Sequence, residues 1–436
     1  MLKTPWGDAG SLREKRLRPG GGVPPEEVAR NQRERLFAAM VACVDQKGFE
    51  ATTVADLLEL SGISRTTFYE HFDDKQDCFV AAVEAIVENT ATLAARRVAE
   101  ISDGETKART LLEGFVRSVV AQPAASRMCF VESAAAGRPA LLAVNRAVSR
   151  FDALLREAVE QTPDRRSLSD EIRNAQLGAI YLIVHARLYR REEAELESLA
   201  TELWEWANTI QPPPRPLGSA PARRPSGVPV GVARSPDARP PGAAADPAER
   251  IIRGFAAVAA EKGYPATTIA EIADRASVSQ STFYSHFKGR EQVLLSALDT
   301  AGARLMAAIL PAARRGESWP DSMRLAIRAL GAFGVDEPDL ASLLGVVAYG
   351  AGPLALVRRD EITVGLKGLF APAYELHPDT AEIAAEASVR AIYSLLYNKI
   401  AVSGPENLPA IVPMATYIAL CPFVGAEKAC EAAGGD

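Results

Sequence analysis

The 436-residue chain lacks most of the marks that betray an enzyme, a secreted protein or a membrane protein. Its five cysteines, Cys43, Cys78, Cys129, Cys421 and Cys430, are odd in number and scattered, with no Cys-x-x-Cys. That excludes a disulfide framework and a zinc ribbon and leaves reduced thiols. No run of about 18 apolar residues occurs, and the first twenty-two residues lack the apolar stretch of a secretory signal, so a cytoplasmic protein with no membrane association is expected. There is no His-Glu-x-x-His, no Gly-x-Ser-x-Gly and no phosphate-binding Gly-x4-Gly-Lys-Ser/Thr, so neither catalysis nor a cofactor or metal is expected. Aromatic residues make up only 6% of the chain, and strand-favouring clusters are scarce beside Ala, Leu, Glu and Arg. The fold class expected is all-α.

Positive charge is scarce overall, at a net -6, but it is unevenly placed. Residues 1–35 and 211–248 each sum to +3, and removing both from the total leaves -12 for the rest. Acidic bodies with basic tethers remain compatible with DNA binding, because attraction to phosphate depends on where the cations sit.

What the chain has is a repeat. Shifted by 215 residues, Glu34–Phe72 lies on Glu249–Phe287 without a gap, and fifteen of these 39 positions are identical. The phrase "ISRTTFYEHF" at 63–72 returns as "VSQSTFYSHF" at 278–287, and "GAIYLIVHARL" at 178–188 resembles "RAIYSLLYNKI" at 390–400. The repeated unit is therefore a half-chain. Between the halves, residues 211–247 are rich in Pro, Arg, Gly and Ala and read as a linker, whose reach as a flexible coil is about 35 Å.

In the first copy Leu36, Phe37, Met40, Val41 and Val44 follow helical spacing up to Lys47-Gly48, a helix stop. Thr53 with Asp56, and Thr268 with Glu271, have the spacing of a capping box that starts a second helix. A four-residue turn then leads to a third helix with Ser64 or Ser279 as its cap. Two short helices joined by a tight turn form a helix-turn-helix. Phe68 and Phe72, like Phe283 and Phe287, should point inward. Arg65, Thr66 and Tyr69 in one copy, and Gln280, Ser281 and Tyr284 in the other, should then face outward, where Arg, Gln, Thr and Ser are able to read base edges. Tyr and His groups are suited to phosphate. His71 and His286 are equivalent repeat positions and belong to this phrase, whereas His185 lies on an apolar helix and His377 precedes a proline.

Both copies resemble the DNA-binding domain of the tetracycline-repressor (TetR) family. The first copy matches its pattern with Thr52, Thr53, Val54, Ile63, Ser64, Thr67, Phe68, Tyr69, His71, Phe72 and Lys75. The second matches with Thr267, Thr268, Ile269, Val278, Ser279, Thr282, Phe283, Tyr284, His286 and Phe287, and has Arg290 where the family usually has Lys. The family's recognition-helix glycine is replaced by Thr66 and Ser281. Lys288 adds a cation beside the second unit. The resemblance implies two TetR-like halves, each a three-helix DNA-binding domain followed by a helical effector and dimerisation domain. The boundaries expected are a basic disordered arm over 1–29, helix-turn-helix domains over 30–85 and 248–300, and effector domains over 86–210 and 301–430.

By the same resemblance the effector helices line ligand cavities and form a four-helix bundle. Phe115, Met128, Phe130, Tyr181 and His185 are candidates for one cavity, and Phe333, Tyr349, Tyr393 and Tyr397 for the other. The function expected is a ligand-responsive regulator, a repressor, that binds a double-stranded DNA operator and a small apolar or amphipathic effector. Its halves would pair as an intramolecular pseudo-dimer, with exposed bundle faces able to form a further homodimer. The alternative is a ligand-binding or protein-interaction scaffold with reduced or one-sided DNA binding. Over residues 36–75 the charge is -4 and over 251–290 it is +2, so the second unit should hold phosphates more strongly, with Arg13–Arg18 as a helper for the first.

Overall fold

A computed structural model describes residues 2–17, 23–162, 168–218, 246–376 and 381–434. Most of the 211–247 linker, His377 and Arg18 fall outside them. The chain divides into two bodies: Met1–Ser167 with Tyr181–Trp204, and Leu168–Ile180 with Glu205–Asp436.

The first body begins with a two-stranded ribbon, β1 (Lys3–Thr4) and β2 (Gly7–Asp8). Then come α1 (Pro25–Ala51), α2 (Val54–Ser61), α3 (Arg65–His71), α4 (Lys75–Val98), α5 (Gly104–Ala121), α6 (Pro123–Arg127) and α7 (Arg138–Glu160). Both α8 (Asp170–Tyr189) and α9 (Leu196–Thr209) contribute to each body. The second body continues with α10 (Pro247–Lys262), α11 (Ile269–Arg275), α12 (Gln280–His286), α13 (Arg290–Ala313), α14 (Trp319–Asp336) and α15 (Pro338–Gly345). It ends with α16 (Pro353–Gly365), α17 (Ala371–Leu376), α18 (Ala381–Ser403), α19 (Val412–Val424) and α20 (Ala426–Gly434).

The local signals act as their chemistry requires. Helix one is broken within α1 at Gly48 (φ 77°), with a short turn continuing to Ala51, and its counterpart α10 is capped by Gly263 (φ 81°), a backbone region open to glycine. Thr53 and Asp56 form a reciprocal capping box, as do Thr268 and Glu271. Lys47 and then Thr53 hold the Asp56 carboxyl down at about 2, and Lys262 and then Thr268 do the same for Glu271.

In each body one apolar core runs without interruption from the helix-turn-helix into the helices behind it. In the first it joins Leu36, Phe68 and Phe79 to Ala124, Met128 and Val144. In the second it joins Phe255 and Phe283 to Leu305, Phe333 and Leu344. All five cysteines are buried free thiols, and burial raises Cys43 to about 11 and Cys129 to about 12. Allowing up to two charges in an 18-residue window, three stretches among the described residues, Lys75–Val98, Arg290–Ala313 and Pro405–Val424, have the length and apolarity to cross a membrane.

One expectation needs correction. Residues 2–17, read as part of a disordered arm, are folded onto the first helix-turn-helix. The Trp6 ring lies 5.2 Å from Phe37, and Leu12 is fully buried in the core. Arg13 Nε donates to the Glu59 carbonyl at 2.9 Å, and Asn31 Nδ2 donates to the Lys15 carbonyl at 3.1 Å. Burial of Trp6 and Leu12 outweighs the segment's charge, because the basic side chains can stay wet or satisfy helix carbonyls while the apolar ones leave water.

The turns between helices two and three differ in an instructive way. Gly62 adopts φ 66°, and a Cβ there would stand 3.0 Å from Arg13 Cγ and 3.2 Å from Arg35 Nη2. Its counterpart Ser277 takes φ 54° with a side chain. Left-handed backbone costs a non-glycine residue roughly 1–2 kcal/mol, and glycine returns roughly 0.5–1 kcal/mol of that through its freer unfolded chain. Ser277→Gly should therefore stabilise the second unit by roughly 0.5–1 kcal/mol in denaturant melts. An unchanged or lowered midpoint would contradict it.

Candidate nucleic-acid interface and effector cavity

The third helix of each motif is fixed from both sides. Ser64 accepts the Thr67 amide at 3.1 Å and Ser279 accepts the Thr282 amide at 3.0 Å. From within, Phe68 and Phe283 are fully buried, with Phe72 and Phe287 packed beside them at 5.8 and 6.1 Å between ring centroids. The opposite face is left to solvent. It carries Arg65, Thr66 and Tyr69 (50% exposed) on α3, and Gln280, Ser281 and Tyr284 (56% exposed) on α12. Ser64, Thr53, Ser279 and Thr268 are exposed at the helix starts, while Thr67 and Thr282 are half-buried.

Several residues expected at this surface do other work. Thr52 and Thr267 are buried, and their hydroxyls donate to the Gly48 and Gly263 carbonyls at 2.7 and 2.9 Å. They cannot reach a ligand outside. Lys75 Nζ donates to the Phe49 carbonyl at 2.8 Å and lies 4.2 Å from the Phe49 ring centroid. Arg290 occupies the equivalent place, with Nη1 2.5 Å from the Thr267 carbonyl and the guanidinium 5.1 Å from the Tyr264 ring. A cation here satisfies orphaned carbonyls after helix one, and Lys and Arg serve equally. His71 is half-buried against Gln32 Oε1 at 2.9 Å, and burial, then Arg33, lowers its pKa and favours the neutral ring. Gln32 corresponds to Pro247 in the second copy, and there His286 is exposed. Lys288 is also exposed.

Ion pairs tie helix one to the helices behind it. In the first body Arg127 bridges Asp45 on α1 (2.7 Å) and Glu193 (2.5 Å). In the second, Glu337, at the start of α15, bridges Arg253 on α10 (3.4 Å) and Arg304 on α13 (2.5 Å).

The first set of cavity candidates forms a chain of rings. Phe115 and Phe130 are 5.9 Å apart, Phe130 and Tyr181 5.2 Å, and Tyr181 and His185 6.5 Å, while Met128 is fully buried in the core. In the second body Phe333 and Tyr393 line a cavity of about 50 Å³, with the Tyr349 ring tilted against Tyr393 (6.3 Å) and edge-on to Tyr397 (4.8 Å).

Two separate stretches, residues 36–82 and 251–297, match the family described as bacterial regulatory proteins, tetR family. The chain carries this family's domain twice. A 51-residue stretch is 49% identical to the uncharacterized HTH-type transcriptional regulator YerO of Bacillus subtilis (strain 168), covering 12% of this chain and 18% of that protein. The match thus spans less than a fifth of that relative's length. Among solved structures, the fatty acid degradation regulator FadR of Bacillus halodurans shares 16% identity over 40% of this chain and 96% of its own, with a TM-score of 0.37. FadR of Bacillus subtilis, crystallised with stearoyl-CoA, shares 12% over the same shares at the same TM-score.

The two TetR units thus have the same scaffold and unlike outer faces. Beyond its aliphatic walls, sequence reasoning missed two polar residues of the second body's cavity, Arg359 and Thr363, both buried on α16. The signal was present: Leu356, Arg359, Ile362 and Thr363 share one helical stripe, so Arg359 falls among the inward positions of that helix.

Proposed function

We propose that the chain is a sequence-specific transcriptional repressor whose two halves pair within one molecule, read two unlike DNA half-sites and respond to a small apolar or amphipathic effector. The observation that carries this reading is the pair of exposed third-helix faces, Arg65–Thr66–Tyr69 and Gln280–Ser281–Tyr284, held by identical caps and phenylalanines. Effector response is supported by the continuous cores and by the Arg127 and Glu337 bridges, through which a change behind helix one would move the DNA-facing helices. Pairing is supported by contacts inside the second body between the end of the first repeat, with the first linker residue, and α18 and α19. Trp206 Nε1 donates to Ser388 Oγ at 3.2 Å, and Tyr417 OH donates to the Gln211 carbonyl at 2.7 Å. A Cβ on Gly178 would stand 2.1 Å from Ser394 Oγ, so only glycine permits that approach.

Selection of binding sites from random duplexes tests the reading. Arginine pairs best with guanine and glutamine with adenine, so the expected consensus is an imperfect palindrome with one G-favouring half and an A-favouring other half. Two equal half-sites would overturn unlike reading, and no retarded complex even at low salt would favour the scaffold alternative. Lys288→Ala should flatten the salt dependence of binding by about one unit of slope, whereas Lys75→Ala should leave the slope unchanged because its cation is turned to carbonyls.

A further inference from the structure

Arg359 presents a problem in electrostatics. It is 2% exposed and lines a cavity whose other walls include Leu305, Leu330, Phe333, Leu396 and Leu408. Removing a guanidinium from water is expensive unless an anion or a full set of acceptors replaces it. Among the described residues no carboxylate lies within ion-pair distance of it. Its neighbour Asp360 and the nearby Glu386 both pair with Arg390, at 3.2 and 3.0 Å. What Arg359 has is the Tyr393 hydroxyl at 3.4 Å and the faces of Tyr349 and Tyr393, at 4.6 and 4.8 Å from their centroids. The rings offset part of the desolvation, but they accept no strong hydrogen bond.

We infer that this cavity takes an aliphatic carboxylate, with Arg359 pairing with the acid group and the leucine-lined end receiving the tail. The inference rests on the proposed effector response and names the class of ligand behind it. A planar guanidinium offers two parallel donors that match a carboxylate, and the surrounding low dielectric strengthens the pair. The about 50 Å³ present holds no more than a water or two, so the tail must open the cavity. The wall at Leu366 is suited to opening. Between α16 and α17 the helix is broken by a 3-10 stretch, Leu366–Phe370, containing Gly368 with open space around it. Such a break is a natural hinge.

The first TetR unit lacks this anchor. Glu84 and Asp299, 215 residues apart, each pair with an arginine, Arg146 and Arg358, and aligning those two arginines puts this helix in a local register of 212. The position after Arg146 is Ala147, where the second repeat has Arg359. One acid should therefore bind per chain.

Isothermal titration of the full chain with octanoate, decanoate and dodecanoate below their micelle concentrations, beside the matching alcohols, tests this. The expected result is one site per chain, affinity rising with tail length, and each acid binding at least tenfold more tightly than its alcohol. Arg359→Gln should lose at least tenfold in acid affinity with little change for the alcohol, and Arg359→Lys should retain part of it. Equal binding of acid and alcohol by the unaltered chain, two sites per chain, or full acid binding by a folded Arg359→Gln would each overturn the inference. DNA retardation measured on the same preparations separates the two readings. A chain that binds DNA and no acid loses the carboxylate assignment alone, and one that binds the acid and no DNA loses the regulator reading alone.

Discussion

Phe283→Ala is expected to lower the stability of the second helix-turn-helix by about 3–5 kcal/mol, the usual range for emptying a fully buried phenylalanine site. The side chain has no exposed surface, packs on Phe287 and Tyr284, and is the main attachment of a seven-residue helix that could not persist alone. The variant should therefore lose footprint protection over one half-site while the other remains. Phe68→Ala should produce the mirror result on the opposite half-site. Chemical denaturation and footprinting on one asymmetric operator check both, and a stability loss below about 1 kcal/mol, or equal loss of protection on both sides, would contradict the account.

The second large effect is at Arg390. Only 1% exposed, it pairs with both Asp360 and Glu386, themselves buried. Removing the cation takes a shared partner from two buried carboxylates, and breaking a buried pair in this way costs about 3–5 kcal/mol. Arg390→Ala should shift the denaturant midpoint accordingly, whereas Arg390→Met together with Asp360→Asn and Glu386→Gln should restore most of the loss, because neutral amides carry no such penalty. If the single variant melts like the parent, water reaches this cluster and the burial argument fails.

The helix-turn-helix was legible because its signals are local. Thr53 to Asp56, Ser64 to Thr67 and Phe68 to Phe72 lie three or four residues apart, so sequence spacing and spatial contact coincide. The N-terminal ribbon was not legible, since Trp6 meets Phe37 and Arg13 meets Glu59 across 31 and 46 residues, and a sparse apolar pair among cations reads as a solvated arm. Lys75 and Arg290 show a different limit. A cation beside a helix-turn-helix is equally suited to phosphate and to helix carbonyls, and residue spacing alone does not distinguish the two. In "VRRDEI", Arg358 is half-exposed and pairs with Asp299 and Glu361, while Arg359 is buried. Adjacent identical letters differ by one helical step of 100°, and that step separates solvent from core.

Encoding both TetR units in one polypeptide changes what a mutation can reach. In a symmetric homodimer each substitution appears on both sides of the two-fold axis, so neither DNA-reading helix can vary without the other. Here Gln280 and Arg65 are separate codons, and one can drift while the other is held. On the proposed pairing within one chain, no subunit exchange is needed to bring the two faces together, and an altered allele would not poison normal chains by co-assembly at that interface. Half-sites in the genome are then free to evolve one at a time, each followed by its own helix.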